Sequence, residues 1–121
     1  EGTIGSAMTE SSGIFTFPST GIYLVSFGAA FNMAGSSRYN HMEIQVTSDN
    51  SSYAIRGYGS QQVVNDGSSY SQGFIQNLID VTNTTNVKVK FKINVEDSGC
   101  TTRGNSNSNS TFMMFLRLGD T

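Results

Sequence analysis

The sequence is poor in the residues on which most active sites depend. Its 121 residues include one histidine, one cysteine, one proline and no tryptophan, and only 13% of them are charged. A Ser-His-Asp triad would need His41 as its base, and a zinc site needs several histidine or cysteine ligands. His41 lies on the polar side of an alternating segment, which favours an exposed surface histidine. We therefore predict no enzyme, no catalytic residues and no cofactor, although calcium binding in Asp- and Asn-containing loops stays open.

Further absences narrow the possible partners. A lone cysteine, Cys100, excludes an intrachain disulfide. No segment approaches the length of a membrane span, and a net charge of −2 without a basic patch argues against nucleic acid. The cationic residues Lys88, Lys90 and Lys92 recur at strand spacing and predict a solvated strand face.

What is present indicates an all-β domain. Branched and aromatic residues fall in short runs broken by Gly, Asn and Ser. Strands are predicted at residues 13–17, 21–31, 41–47, 53–56, 61–64, 73–81, 87–95 and 110–118. Paired apolar residues within 73–81 suggest a bulge or bend. We expect one domain over residues 1–121, built as a sandwich, jelly roll or barrel.

Two of these strands are apolar on both faces. Residues 21–31 and 111–118 carry large apolar side chains at both odd and even positions. A strand in a sheet with one solvated face should instead alternate between apolar and polar residues. In so small a domain the simplest partner for a second apolar face is another copy of the chain, so we predict an oligomer.

Tyrosines and arginines near flexible segments are the candidate ligand contacts. Arg38, Tyr39, Arg56, Tyr58 and Tyr70 lie in or beside stretches rich in Gly, Ser and Asn. Binding surfaces favour this composition. We predict ligand-binding loops at these five residues; the alternative is that they are turns whose aromatics cover the sheet edges.

Two segments resemble the C1q/TNF-like globular head. Phe15 is followed after five residues by Gly21-x-Tyr23-x-Val25-x-Phe27, where the family has Phe in place of Val25. The closing strand has Phe112 and Phe115, with Met114 in place of the family's Gly. The resemblance implies a jelly roll of about ten strands that forms a homotrimer. It also implies that the first long strand and the last strand pair in the inner sheet, around the threefold axis.

On this basis the two-faced strands are assigned to an interface and a core. The predicted trimer interface comprises Tyr23, Val25, Phe27, Met113 and Phe115, and Phe115→Asp is expected to abolish assembly. The predicted core comprises Phe112, Met114, Leu116, Val89, Phe91 and Ile93.

The functional expectation follows from the resemblance. The chain is expected to be the C-terminal head of a longer fibrous protein, trimerising and presenting loops to a cell-surface receptor or glycan. Low charge and richness in Asn, Ser and Thr resemble phage, large-virus or bacterial surface versions, which implies an extracellular, virion or cell-surface location without membrane insertion. The alternatives are a purely structural cap or capsid decoration, a secreted signalling ligand, and a glycan-active enzyme.

Overall fold

The computed structural model describes residues 2–121, which form nine β-strands. The strands are β1 (Thr9–Ser11), β2 (Ile14–Thr16), β3 (Gly21–Met33), β4 (Ser37–Thr47), β5 (Ala54–Val63), β6 (Ser69–Val81), β7 (Lys88–Val95), β8 (Thr101–Thr102) and β9 (Phe112–Gly119). Every pairing between them is antiparallel. These residues contain no helix, so none of them forms a membrane-spanning helix. The all-β prediction is confirmed.

The strands form two sheets. The five-stranded sheet has the order β1-β2-β7-β4-β5. The four-stranded sheet has β3 at its centre, β6 along one side, and both β8 and β9 along the other. The first long strand and the last strand therefore pair as expected, with Val25 opposite Phe115.

The core lies between the two sheets. The inward residues of β3 (Tyr23, Val25, Phe27, Ala29 and Phe31) cluster with Met42, Ile44 and Val89 of the five-stranded sheet. Aromatic rings cross the gap: the ring centroids of Phe27 and Phe91 are 5.1 Å apart, and those of Phe91 and Phe115 are 5.8 Å apart. Two antiparallel sheets packed face to face in this way make a β-sandwich.

β5 differs from its prediction. The sequence predicts two short strands around a Gly57–Ser60 loop, but Ala54–Val63 is one strand. The glycines serve packing, not a turn. A Cβ on Gly59 would lie 2.6 Å from Cγ2 of Ile75, because β6 crosses closely at this point.

The bulge predicted in residues 73–81 is wrong. The register of β6 against β3 runs without interruption from Gly21 opposite Val81 to Met33 opposite Ser69. The paired apolar residues instead serve two faces, since Ile75 and Ile79 are buried whereas Phe74 and Leu78 are exposed. The pairs therefore mark a third strand with apolar residues on both sides.

Candidate functional site

The outward surface of the four-stranded sheet is apolar. Strand alternation places seven large side chains there, which we call the apolar face: Ile22, Leu24, Phe74, Leu78, Phe112, Met114 and Leu116. Leu24 lies between Leu78 and Leu116 across the three long strands. Leu78 is 61% exposed and Leu116 is 49% exposed. None of the seven carries a charge, although Gln72, Gln76 and Asp80 occupy the other outward positions in this part of β6.

The predicted interface residues lie largely on the opposite side of the same strands. Tyr23, Val25 and Phe27 are 3%, 0% and 2% exposed within a single chain, so they are core residues. Phe115 also faces inward and packs on the core. The two-faced strands were predicted correctly, but the assignment of these residues to a contact with another chain is wrong, because their side of β3 faces the five-stranded sheet.

Met113 is the exception among the predicted interface residues. It shares the inward face of β9 with Phe115 but remains exposed, because it lies at the open edge of the four-stranded sheet. There it lines a cleft of about 530 Å³ together with residues 2–8 and Arg117. Pro18, Ser19, Tyr23, Met114 and Phe115 also line this cleft.

The predicted core is confirmed for one strand and wrong for the other. Val89 is fully buried, and Phe91 and Ile93 pack against the core. Met114 and Leu116 are exposed on the apolar face.

Phe112 shares that face but is only half-buried. A Cβ on Gly28 would lie 2.4 Å from Cε1 of Phe112, so the ring lies directly over the glycine. The ring centroid of Phe74 is 6.3 Å from that of Phe112. Because Gly28 has no side chain, the Phe112 ring can lie against the backbone of β3, with the Phe74 ring beside it.

One buried hydroxyl lies within the apolar face. Ser26 is outward on β3, between Gln76 and Met114, and is fully buried by its neighbours. Its Oγ has no hydrogen-bond partner among residues 2–121. An unpaired buried hydroxyl costs free energy, so Ser26 weakens the isolated chain.

The predicted ligand residues are on strands, not in loops. Arg38 and Tyr39 begin β4, and Tyr58 lies in the middle of β5. The Tyr39 ring stacks on His41 with centroids 4.6 Å apart and planes at 10°. Tyr58 Oη lies 2.6 Å from His41 Nδ1, and the two ring centroids are 5.1 Å apart. We call Tyr39, His41 and Tyr58 the aromatic cluster.

The guanidinium of Arg38 forms an ion pair beside the aromatic cluster. Its Nε donates to Glu96 Oε1 at 2.5 Å, and its backbone N–H donates to Oε2 at 2.6 Å. These hydrogen bonds lower the pKa of Glu96 and raise the pKa of Arg38. The pair ties the start of β4 to the end of β7.

Glu43 continues the same outward row of β4. It lies between Tyr58 on β5 and Lys92 on β7, and it is only 8% exposed. Its Oε2 accepts a hydrogen bond from Gln45 Nε2. Sequence reasoning missed His41 and Glu43 as site residues, although Tyr39, His41 and Glu43 recur at every second position and so share one strand face.

Tyr70 and Arg56 are not part of the aromatic cluster. Tyr70 is on β6 of the other sheet, where the guanidinium of Arg103 lies 4.7 Å from the ring centroid. Both line a shallow cleft of about 360 Å³. Arg56 is exposed on β5, and its backbone carbonyl accepts a hydrogen bond from Asn77.

Reactive groups elsewhere give no second candidate. Cys100 is buried, and this burial raises the pKa of its thiol. Within residues 2–121 no three His, Cys, Asp or Glu side chains are grouped so that they could hold a metal ion. Comparison with protein-family models and with curated proteins finds no match to this chain.

Proposed function

We propose that this chain is a C1q/TNF-like jelly-roll head that forms a homotrimer through the apolar face and presents its five-stranded sheet to surface ligands. The observation that carries the proposal is the apolar face itself. Its seven side chains extend across β6, β3 and β9, with Gln76 and Ser26 between its two ends, and none of them belongs to the core cluster.

The cost of leaving this face in water supports assembly. Contiguous exposed apolar patches on soluble proteins usually mark contact surfaces. Burial of a half-exposed side chain of this size contributes roughly 1 kcal/mol. A contact between copies buries such side chains from both partners, so it can offset the entropy lost on association.

A second copy of the chain is the partner that best fits the chemistry. The seven apolar side chains carry no charge for a charged partner to recognise, although Asp80 lies opposite Ile22 in the same outward rows. The chain's net charge of −2 gives little repulsion between copies. Homo-oligomers usually form closed symmetric assemblies, and in a threefold assembly the apolar face of each copy would lie against its two neighbours around the axis.

Threefold symmetry and the jelly roll are proposed from the family resemblance. The pairing of the first long strand with the last strand supports both. The chain also changes sheets between β2 and β3, β3 and β4, β5 and β6, β6 and β7, and β7 and β8, as expected for a double-sheet roll. Trimerisation would give each assembly three identical copies of the outer surface, so weak single sites would act together.

Light scattering on a size-exclusion column tests the assembly. We expect the mass of three chains for the wild type and of one folded chain for Leu116→Asp, because a carboxylate on the apolar face would be buried without a partner. Ile55→Asp is the matched control: Ile55 is about equally exposed, at 51%, but it lies on the other sheet. A Leu116→Asp protein that kept the wild-type mass would contradict the proposed interface.

A further inference from the structure

We propose that Glu43, with the exposed rings of Tyr39 and Tyr58, forms a binding site for a pyranose sugar on the outer surface of the five-stranded sheet. The proposal deepens the display role given above and rests on it for multivalency. Binding at one site does not require assembly, so the two proposals fail in different experiments.

Glu43 is incompletely paired within the chain. A carboxylate that is 8% exposed normally has a cationic partner. Glu43 has no ion pair among residues 2–121, and its one side-chain hydrogen bond comes from Gln45. An ionised carboxylate can accept about four hydrogen bonds. Glu43 can therefore accept further hydrogen bonds, and a pair of neighbouring sugar hydroxyls could donate them.

The aromatic rings beside Glu43 have a fixed orientation. Tyr58 stands directly across from Glu43 in the β4–β5 register and is 54% exposed. Its hydroxyl is held by His41, and stacking on His41 fixes Tyr39. An aromatic ring offers a flat apolar surface to the C–H face of a pyranose. Because strands and stacking hold the rings in place, little entropy is lost when a ligand binds.

The surface around the site carries more positive than negative charge. Lys88, Lys90 and Lys92 point outward from β7 on the same surface and exceed the single charge of Glu43. This excess disfavours a cationic ligand such as a lysine-rich peptide. It admits a neutral or acidic sugar, and Lys92, opposite Glu43, can donate to a hydroxyl or carboxylate.

An NMR titration of the whole chain tests the site. The probes are methyl β-D-glucopyranoside, methyl β-D-galactopyranoside and methyl N-acetyl-β-D-glucosaminide, added to roughly 50 mM because small ligands with few contacts bind weakly. We expect at least one of them to give saturable shifts in the amide signals of residues 39–43 and of Tyr58.

Three variants decide whether the named side chains carry the binding. Glu43→Gln keeps the shape but loses the charged acceptor, and it should weaken binding about tenfold or more. Tyr58→Ala should weaken it at least as much through loss of the ring. Tyr70→Ala is the matched control, an exposed tyrosine on the other sheet, and should bind like the wild type. Dispersed amide spectra would show that each variant is folded.

The proposal would be overturned if no probe gave a saturable shift, or if Glu43→Gln bound with unchanged affinity. Shifts confined to the Tyr70 cleft would also overturn it. Binding of a lysine-rich peptide at Glu43 in place of every sugar would also overturn it. A trimer without a sugar response would favour a purely structural cap, whereas a monomer with a sugar response would overturn only the assembly.

Discussion

The two outward surfaces of this sandwich differ in chemistry although the same chain folds both. The surface of the four-stranded sheet carries seven large apolar side chains and no charge among them. The surface of the five-stranded sheet carries three lysines, Glu43 and the aromatic cluster. A sandwich needs only its inner faces to be apolar. The outward apolar residues are therefore not explained by the fold of one chain, and the proposed assembly would explain them.

The largest expected effect is a loss of stability that distinguishes the inward side chains of β9 from the outward ones. Phe115→Asp should destabilise the domain by about 3–5 kcal/mol, because it removes a large packed ring and buries a charge. The Phe115 ring centroid lies 5.4 Å from that of Phe15 and 6.2 Å from that of Phe17. Chemical denaturation measures the loss. The adjacent change Leu116→Asp should cost far less in a dissociated chain, and equal losses would mean that the two faces are not distinct.

A matched pair of substitutions compares the two outward surfaces directly. Leu78→Ser should weaken assembly by about 1–2 kcal/mol per contact, since it removes apolar area that a second copy would bury. Ile55→Ser should leave assembly unchanged, because Ile55 lies on the other sheet. The mass as a function of concentration, followed by light scattering, gives both values. Equal weakening by the two changes would show that the apolar face is not the selective contact.

A substitution at Ser26 tests whether its unpaired hydroxyl destabilises the isolated chain. In the Leu116→Asp background, Ser26→Ala should raise the free energy of unfolding by about 1 kcal/mol, because it removes an unpaired buried hydroxyl. The control is Ser37→Ala. Ser37 is equally buried, but its Oγ donates to Asn40 Oδ1 at 3.0 Å, so its loss should destabilise. A loss of stability in Ser26→Ala would mean that the hydroxyl has a partner after all.

The smallest effect is a pH dependence at the edge of the five-stranded sheet. Arg38 lowers the pKa of Glu96 in the folded chain. Its contribution to stability is therefore present above the unfolded pKa, about 4.3, and is lost as the pH falls through the lower folded value. Thermal melts between neutral and acid pH should fall less steeply for Glu96→Gln than for the wild type.

Asp49 makes a useful comparison for that measurement. The N–H groups of Ser52 and Ser51 and the hydroxyl of Thr47 lower the pKa of Asp49. Part of the acid loss should therefore persist in Glu96→Gln and disappear in Asp49→Asn. Identical pH profiles for the wild type and Glu96→Gln would mean that the pair with Arg38 contributes no measurable stability.

Much of the fold could be predicted because strand alternation is a local property. Residues 87–95 alternate cleanly and form β7 (Lys88–Val95) almost as expected. The prediction of a loop within β5 is wrong because its glycines are required by side chains of other strands, Ile44 at Gly57 and Ile75 at Gly59. Spacing within one segment cannot reveal that a neighbour passes close by.

The side of a two-faced strand that turns inward could not be predicted from that strand alone. In β9 the outward row of Phe112, Met114 and Leu116 is fully apolar, whereas the inward row includes Arg117. Arg117 is accommodated at the rim, where it pairs with Asp120 and donates to the Thr20 carbonyl. The register of β9 against β3 determines which row of side chains faces inward, and register depends on the whole sheet.

The most direct test of the central claim is the solution mass of the wild-type chain beside that of Leu116→Asp, measured by light scattering on a size-exclusion column. We predict three chains of 13.0 kDa for the wild type and one folded chain for the variant. A wild-type chain that elutes with the mass of one chain at all concentrations would contradict the claim that the apolar face is an interface between copies.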